Sequence, residues 1–177
     1  MIYTPKEDSY LLEKEVRKYA RNRRVLDMGS GSGIQAQAAL KSGTKSVLCA
    51  DIDYNSVELL KKKGLDAVQS DLFSNVKGKF DLIIFNPPYL PFDEREDSQS
   101  ELHTSGGKRG DEIIVRFLKD IKKHLNERGV ILIVISSLTP RAKILNILKK
   151  NDMENKIIAE EKFFMENLEV WKITCKE

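Results

Sequence analysis

Short apolar runs alternate along the chain with segments in which apolar residues recur every three or four positions. Runs bounded by glycine, proline or polar residues predict strands, and the periodic segments predict helices. The predicted strands are 24–28, 45–51, 67–69, 80–85, 130–135, 156–159 and 168–174, and the predicted helices are 5–19, 34–42, 55–63, 111–125 and 140–150. This alternation predicts an α/β, Rossmann-like fold with a mainly parallel seven-stranded sheet and helices on both faces.

Three segments have their own signatures. Phe80–Phe85 is nearly all apolar, as in a central strand buried on both faces, and the two prolines that follow it end any strand pairing. At the other end of the chain, Thr4-Pro5-Lys6-Glu7 predicts a capping box with Pro5 as the first helical residue of an N-terminal helical cap over residues 1–20. Residues 91–110 form a polar stretch about 20 residues long, which predicts a substrate loop.

Composition narrows the class of protein. The 177 residues are 41% hydrophobic and 32% charged, which predicts one folded domain over residues 1–177. A formal charge of +3 is too small to indicate a dedicated nucleic-acid binder. Two cysteines are too few for a disulfide scaffold or a four-ligand zinc site, and the two histidines are not at metal spacing, so we expect a reduced, cytoplasmic protein without a metal. Neither a membrane span nor a secretory signal is expected.

A glycine-rich segment, Asp27-Met28-Gly29-Ser30-Gly31-Ser32-Gly33, follows the first predicted strand. Glycines at alternate positions allow a tight turn and a close approach of the backbone to a ligand. A dinucleotide-binding loop would need glycine at position 34, where Ile34 stands, and the phosphate-binding G-x-x-x-x-G-K-[ST] pattern is absent. The segment predicts either a loop for another nucleotide-like ligand or a simple strand-to-helix turn.

Acidic residues follow the next two strands. Asp51 ends the second strand, where a carboxylate can accept hydrogen bonds from ribose hydroxyls, and Asp53 is the competing choice for that role. A strand-end aspartate can instead cap the following helix. Asp71 follows the third strand, where it can face an adenine amino group or be a turn residue.

Asn86-Pro87-Pro88-Tyr89 ends the fourth strand and points to chemistry on an amide-like nitrogen. The lone pair of such a nitrogen is delocalised, so methyl transfer requires the NH₂ group to be oriented. The Asn86 side-chain carbonyl and the Pro87 backbone carbonyl can each accept one of its N–H groups, while Tyr89 offers a flat face to a planar substrate. The prolines stiffen the turn, so these acceptors are in place before substrate binds.

Together these motifs resemble the class I S-adenosylmethionine (SAM)-dependent methyltransferases with an Asn-Pro-Pro-Tyr site. The likeness is greatest to the compact archaeal and eukaryotic branch of the HemK-like enzymes, which methylate a glutamine of peptide-chain release factors. The segments that carry the resemblance are 3–12, 26–33, 51–53, 71–72, 85–89 and 106–110.

The resemblance implies SAM as cofactor and assigns the site. It implies a cofactor site formed by Ser9, Asp27, Gly29, Gly31, Gly33, Asp51, Asp71, Leu72 and Asn86. It also implies that the Asn86–Tyr89 segment holds the glutamine side chain. Asp27 stands where many relatives have glutamate, and the separate N-terminal substrate-binding domain of bacterial members is missing. Compact members often work with a small zinc-binding activator protein.

Three functions remain open at this point. The first is methylation of the side-chain amide nitrogen (N5) of a release-factor glutamine. The second is methylation of an exocyclic amine of RNA or DNA, at adenine N6 or guanine N2, which the same turn also serves. The acidic run 93–97 would repel a phosphate backbone at the site, although the positive charges of Lys108 and Arg109 would partly offset that repulsion. The third is an inactive SAM-binding subunit, which would be expected to lose the Asn86–Tyr89 acceptors.

Overall fold

A sheet of seven strands with helices on both faces is built from residues 5–88 and 109–176, the part of the chain that the computed structural model describes. The strands are β1 (Arg24–Met28), β2 (Ser46–Asp51), β3 (Asp66–Gln69), β4 (Phe80–Phe85), β5 (Leu125–Ser136), β6 (Met153–Lys162) and β7 (Asn167–Cys175). The helices are α1 (Glu7–Tyr19), α2 (Ile34–Lys41), α3 (Tyr54–Lys62), α4 (Glu112–His124) and α5 (Ala142–Lys150).

The sheet has the strand order β3-β2-β1-β4-β5-β7-β6. The first five strands in this order are parallel, and β7 runs antiparallel to both of its neighbours. The chain reverses direction across the sheet at β1 and β4, and ligands of such sheets bind at the carboxyl ends of the strands beside that reversal. The predicted fold class is confirmed.

Two apolar cores lie on opposite faces of the sheet, because successive side chains of a strand point to opposite sides. Leu82 and Ile84 of β4 join the core formed with α1, α2 and α3, whereas Ile83 and Phe85 join the core formed with α4 and α5. Phe80, Leu82, Ile83 and Ile84 are fully buried, which confirms that the apolar run 80–85 is a central strand. β4 is therefore held rigidly from both sides up to the residue that precedes Asn86.

Helix α1 begins two residues later than the sequence predicts. Lys6 is extended, with φ −122° and ψ −166°, and occupies the N-cap position, so Pro5 is not the first helical residue. Thr4, the predicted cap, lies outside the described residues. Asp8 in the first turn accepts a hydrogen bond from the Ser9 backbone N–H at 2.7 Å, so a carboxylate inside the turn satisfies one of the amides that have no partner within the helix.

Strand β5 is longer than predicted at its amino end. Residues 126–129 were expected to connect a helix to a strand at Val130, but pairing of β5 with β4 already begins at Leu125, opposite Phe80. The register shifts between this pair and the next, so the polar residues fall in an irregular part of the ladder. The Asn126 side chain donates to Asp81 Oδ1 at 2.6 Å, and this bond holds the irregular segment against β4.

Strand β6 also exceeds its prediction at both ends. It is the edge strand of the sheet, and exposed charged residues alternate along it with half-buried ones. Because an edge strand needs charge to discourage pairing with other chains, its apolar pattern is diluted and its ends are hard to recognise from sequence.

Candidate active site

Parallel pairing brings the ends of four strands together at one edge of the sheet. Met28 at the end of β1 lies beside Ala50 of β2 and Phe85 of β4, and Asp51 pairs with Gln69 at the end of β3. Asp51 is the last residue of β2, and Gly29 and Asn86 directly follow β1 and β4. The structure therefore brings together, at one edge of the sheet, residues that the sequence places at the ends of separate strands.

The glycine-rich loop folds in a way that needs glycine. Gly29, Gly31 and Gly33 all have positive φ, at +63°, +50° and +82°. A Cβ on Gly33 would lie 2.6 Å from the Leu60 Cδ2 atom of α3, so any other residue there would require the Leu60 side chain to shift. The Gly29 N–H donates to the Ala50 carbonyl at 2.7 Å and ties the loop to the end of β2. This backbone leads directly into the amino end of α2, whose free N–H groups favour negative charge.

Asp51 and Asp53 have different roles. Asp51 is 7% exposed, and its Oδ2 accepts the Gly31 N–H at 2.7 Å, so it fixes the tip of the glycine-rich loop. Asp53 is the N-cap of α3, where its carboxylate accepts the N–H groups of Asn55 and Ser56. The cap alternative considered for a strand-end aspartate thus belongs to Asp53. Asp51 Oδ1 also accepts the Asp53 backbone N–H at 2.9 Å, and contact of Asp51 with ribose hydroxyls stays a prediction.

Asp27 is a buried carboxyl group beneath the loop. It is 1% exposed, and its Oδ2 accepts the Ala36 backbone N–H of α2 at 3.1 Å. The pKa of Asp27 is raised to about 7, chiefly by burial and also by the neighbouring Asp51 charge, while the Ala36 bond opposes the rise. Near neutral pH this carboxyl group is therefore poised to ionise when a cation approaches.

Asp71 and Leu72 lie in the turn after β3, at the rim of an open cleft beside α4. Asp71 Oδ2 accepts a bond from the Arg116 guanidinium at 2.7 Å, and both side chains are about half exposed. Leu72 has a φ of +49° and packs on the core that contains α4. Contact of Asp71 with an adenine amino group stays a prediction.

Asn86, directly after β4, has one end of its carboxamide bound and the other without a donor. Its Nδ2 donates to Asp8 Oδ2 of α1 at 3.0 Å. Its Oδ1 is buried, and no group in residues 5–88 and 109–176 donates a hydrogen bond to it. Pro87 is buried and Pro88 half-buried, so the turn is packed in place. Tyr89 and the loop residues 91–108 lie outside the described residues.

The first turn of α1 joins the site through two side-chain amides. Ser9, which the resemblance assigns to the cofactor site, is 2% exposed, and its backbone carbonyl accepts the Gln35 Nε2 group of α2 at 2.8 Å. Asp8 accepts the Asn86 amide as described above. The structure therefore places Ser9 beside the glycine-rich loop and one residue from the partner of Asn86.

Sequence reasoning missed three residues at this edge: Asp8, Gln35 and Arg116. Asp8 stands 78 positions from Asn86, and Arg116 stands 45 positions from Asp71. Each looks like an ordinary polar residue of a helix, so no local pattern distinguishes it. Only the adjacent Ser9, named by the resemblance, pointed toward the first turn of α1.

Metal and membrane features are absent from the part of the chain described here. No group of three or more histidine, cysteine, aspartate or glutamate side chains in it could hold a metal ion, and none of its helices has the length and apolar character to cross a membrane. Cys49 and Cys175 are both free thiols, and burial raises the pKa of Cys49 far above its ordinary value.

Comparison with known proteins identifies the family. The methyltransferase small domain model matches residues 7–165. The chain is 39% identical to a "Putative protein N5-glutamine methyltransferase" of Methanocaldococcus jannaschii, over 97% of this chain and 92% of that protein. It is 29% identical to methyltransferase HEMK2 of Homo sapiens, over 98% and 89% of the two chains.

A solved structure shares the fold along its whole length. The structure of the E. cuniculi Mtq2–Trm112 complex, responsible for methylation of the translation termination factor eRF1, superposes with a TM-score of 0.80 at 24% identity and covers 99% of each chain. The resemblance that the motifs indicate to HemK-like glutamine methyltransferases is confirmed, and the chain belongs to the methyltransferase small domain family.

Proposed function

We propose that this protein transfers a methyl group from SAM to the side-chain amide nitrogen (N5) of a glutamine in a peptide-chain release factor. The observation that carries the proposal is the Asn86 carbonyl oxygen, a buried acceptor at the end of β4 to which no described residue donates a hydrogen bond. A buried polar atom without a partner is costly, and a substrate NH₂ group would satisfy it.

The residues at the sheet edge fit SAM. SAM would supply a methyl group on a positively charged sulfur: the nitrogen lone pair would form the new C–N bond as the C–S bond breaks, S-adenosylhomocysteine would leave, and the nitrogen would release a proton. The glycine-rich loop offers a backbone that a ligand can approach closely, and Asp51 at its tip offers acceptors for the ribose hydroxyls. Asp27, whose pKa burial raises to about 7, suits the methionine amino group, because that cation favours the ionised carboxylate. Asp71 and Leu72 would line the adenine end.

Orientation of the acceptor nitrogen is the main task of Asn86 and Pro87. An amide nitrogen shares its lone pair with its carbonyl group and is a poor nucleophile until the NH₂ group is turned. One N–H directed to Asn86 Oδ1 and the other to the Pro87 backbone carbonyl would fix that direction. β4 is buried on both faces up to Phe85, so these acceptors stand on a rigid support, as preorganised catalysis requires. Tyr89 would pack against the planar amide.

A protein substrate is favoured over nucleic acid. The M. jannaschii relative is named for protein N5-glutamine methylation, and the Mtq2–Trm112 structure is described as acting on eRF1. A glutamine side chain is small, planar and flexible, so it can enter a narrow site without the unstacking that a base requires. We propose that residues 91–110 are the substrate loop and that a small zinc-binding protein acts as activator. We also propose that the protein works in the cytoplasm, where release factors act.

Tritiated SAM provides the test. The chain, with and without an activator protein of the Trm112 type, is incubated with purified release factor and separately with total RNA and DNA. We expect label in the release factor alone, a methyl group on one glutamine by mass spectrometry, and no label after that glutamine is replaced by alanine. Methylation of RNA or DNA at an exocyclic amine, with an unlabelled release factor, would replace the proposal with the nucleic-acid alternative.

A matched pair of variants links the activity to this site. Asn86→Ala removes the proposed acceptor. Asn126→Ala is the control, because Asn126 also donates its amide to an aspartate, Asp81, at the opposite end of β4. We expect activity to be lost in the first variant and kept in the second.

A further inference from the structure

The first turn of α1 holds a carboxylate against the carboxamide of Asn86. Asp8 is 6% exposed, and its Oδ2 lies 3.0 Å from Asn86 Nδ2. A carboxylate accepts hydrogen bonds and cannot donate them, so only the NH₂ end of the Asn86 amide can face it. The Asn86 carbonyl oxygen must then point the other way, toward the position where no described residue donates to it.

We propose that Asp8 is a positioning residue for methyl transfer, because it holds the Asn86 amide with its oxygen toward the substrate nitrogen. The inference rests on the proposed function of Asn86 and adds what orients it. A carboxamide rotated by half a turn would present its NH₂ group to the NH₂ group of the substrate, and two donors cannot form a hydrogen bond. A charge-assisted bond favours the productive rotamer by about 10- to 150-fold.

Asp8 is itself fixed in place. Its other oxygen, Oδ1, accepts the Ser9 backbone N–H at 2.7 Å and lies 3.3 Å from the Ser9 hydroxyl. The turn is anchored to α2 because Gln35 Nε2 donates to the Ser9 carbonyl at 2.8 Å. Leu11 and Leu12 are buried in the core on the same face of the sheet as α2. The carboxylate thus reaches Asn86 from a rigid helix, and its charge is favoured near the positive end of that helix.

A purely structural role would give a different pattern. If Asp8 only tied α1 to β4, its loss would lower stability and would change catalysis only as far as the fold loosened. The chain contains a natural comparison, because Asp81 Oδ1 accepts the Asn126 amide at 2.6 Å at the other end of the same strand. This second pair has the same chemistry and no place in the proposed site.

The experiment measures kcat and KM for the release factor, the SAM dissociation constant and Tm for Asp8→Leu, Asp8→Asn and Asp81→Leu. Asp8→Leu should lower kcat about 10- to 100-fold while SAM affinity stays within threefold, because the Asn86 oxygen loses its fixed position as well as its rotamer and the cofactor loop is unchanged. Asp8→Asn, which can still accept the amide, should recover kcat to within about tenfold of wild type. Asp81→Leu should lower Tm and leave kcat unchanged. An Asp8→Leu variant that keeps kcat within twofold of wild type overturns the inference.

A second pair of variants tests the contact by the sign of its effect on kcat, measured with Tm to exclude a change in folding. Asn86→Asp alone places two carboxylates about 3 Å apart, and one of them must take up a proton or turn away. Adding Asp8→Asn supplies an NH₂ group that can donate to the new carboxylate. The second substitution should therefore raise kcat at least tenfold in the Asn86→Asp background, although it lowers kcat in wild type. A decrease in both backgrounds contradicts the proposed contact.

A readout without substrate separates this inference from the proposed function. In ¹⁵N-labelled protein, the Asn86 side-chain NH₂ signals are identified by their loss in Asn86→Asp. They should move and exchange faster with solvent in Asp8→Leu, and they should not change in Asp81→Leu. If release factor is never methylated but this result is obtained, the proposed function falls and the orientation of Asn86 stands. If methylation occurs and the signals do not respond to Asp8, the positioning role falls alone.

Discussion

Asp27 should make the stability of this protein fall as pH rises toward neutrality. Its carboxyl group is buried beneath the glycine-rich loop, and burial raises its pKa from the ordinary 3.8 to about 7. Below pH 3.8 both the native and the unfolded chain hold the proton, so the group has no effect. Between 3.8 and 7 the unfolded chain loses the proton while the native protein keeps it, and the free energy of unfolding therefore declines as pH rises.

The two pKa values set the magnitude. Each pH unit between them costs about 1.4 kcal/mol, so the full loss is about 4 kcal/mol and is complete a little above pH 7. Between pH 5 and pH 8 the expected loss is about 2.5 kcal/mol, since part of it has already occurred at pH 5. The pKa values of Asp53, Asp81 and Asp120 are lowered, so these groups change the free energy of unfolding at more acid pH than the interval from pH 5 to pH 8.

Urea unfolding of wild type and Asp27→Asn at pH 5 and pH 8 measures the effect. The variant cannot ionise at this position, and its amide oxygen can still accept the Ala36 N–H, so the difference between the two proteins isolates one titration. That difference should move in favour of the variant by about 2.5 kcal/mol from pH 5 to pH 8. A difference that stays constant within about 0.5 kcal/mol would refute the argument from burial, because the native carboxyl would then titrate like the unfolded one.

The remaining predictions concern the loop and the acceptor. Asp51→Ala should weaken SAM binding by about 1.5–3 kcal/mol, or about 10- to 150-fold in Kd by calorimetry, and binding of NADH with no response to SAM would end the cofactor proposal. Gly33→Ala should lower the free energy of unfolding in urea by about 1–3 kcal/mol more than Gly43→Ala does, because both glycines have positive φ but only a Cβ on Gly33 would meet Leu60. Equal losses would show that the Leu60 side chain moves away. Asn86→Ala should reduce kcat by about 10²–10³ and leave SAM affinity within a few fold in the tritium assay, and an equal loss of affinity would move Asn86 from the acceptor site to the cofactor site.

Structural features that depend on residues adjacent in the sequence were predictable. Phe80–Phe85 could be recognised as a buried central strand because its apolar side chains must cover both faces of a sheet. Its end could be placed because Pro87 and Pro88 lack the N–H that strand pairing needs. The loop before α2 was recognisable from Gly29, Gly31 and Gly33, since few other residues adopt their positive φ values.

Features that depend on competition between interactions were less predictable. The capping box at the start of α1 has the right residues, yet the helix begins at Glu7, after an extended Lys6, and a carboxylate within the first turn accepts one of its amides. Residues 126–129 look like a connection, yet they lie within β5 between its pairs with β4 at Leu125 and Val130, and Asn126 bonds to Asp81 of β4. Asp51 and Asp53 are both strand-end aspartates, and their roles separate only when the amides that reach each carboxylate are known.

The contact between Asp8 and Asn86 shows where sequence reasoning about this site stops. A motif specifies which atoms can accept a hydrogen bond, but an asparagine has a donor and an acceptor at the same distance from the backbone, and the motif is identical for both rotamers. The choice is made by a residue 78 positions away, which is brought to the sheet edge only because α1 packs on the same face as α2. Under the proposed function, the Asn86 carboxamide needs a neighbour that accepts only its NH₂ end, and the helix that precedes β1 supplies that neighbour as Asp8.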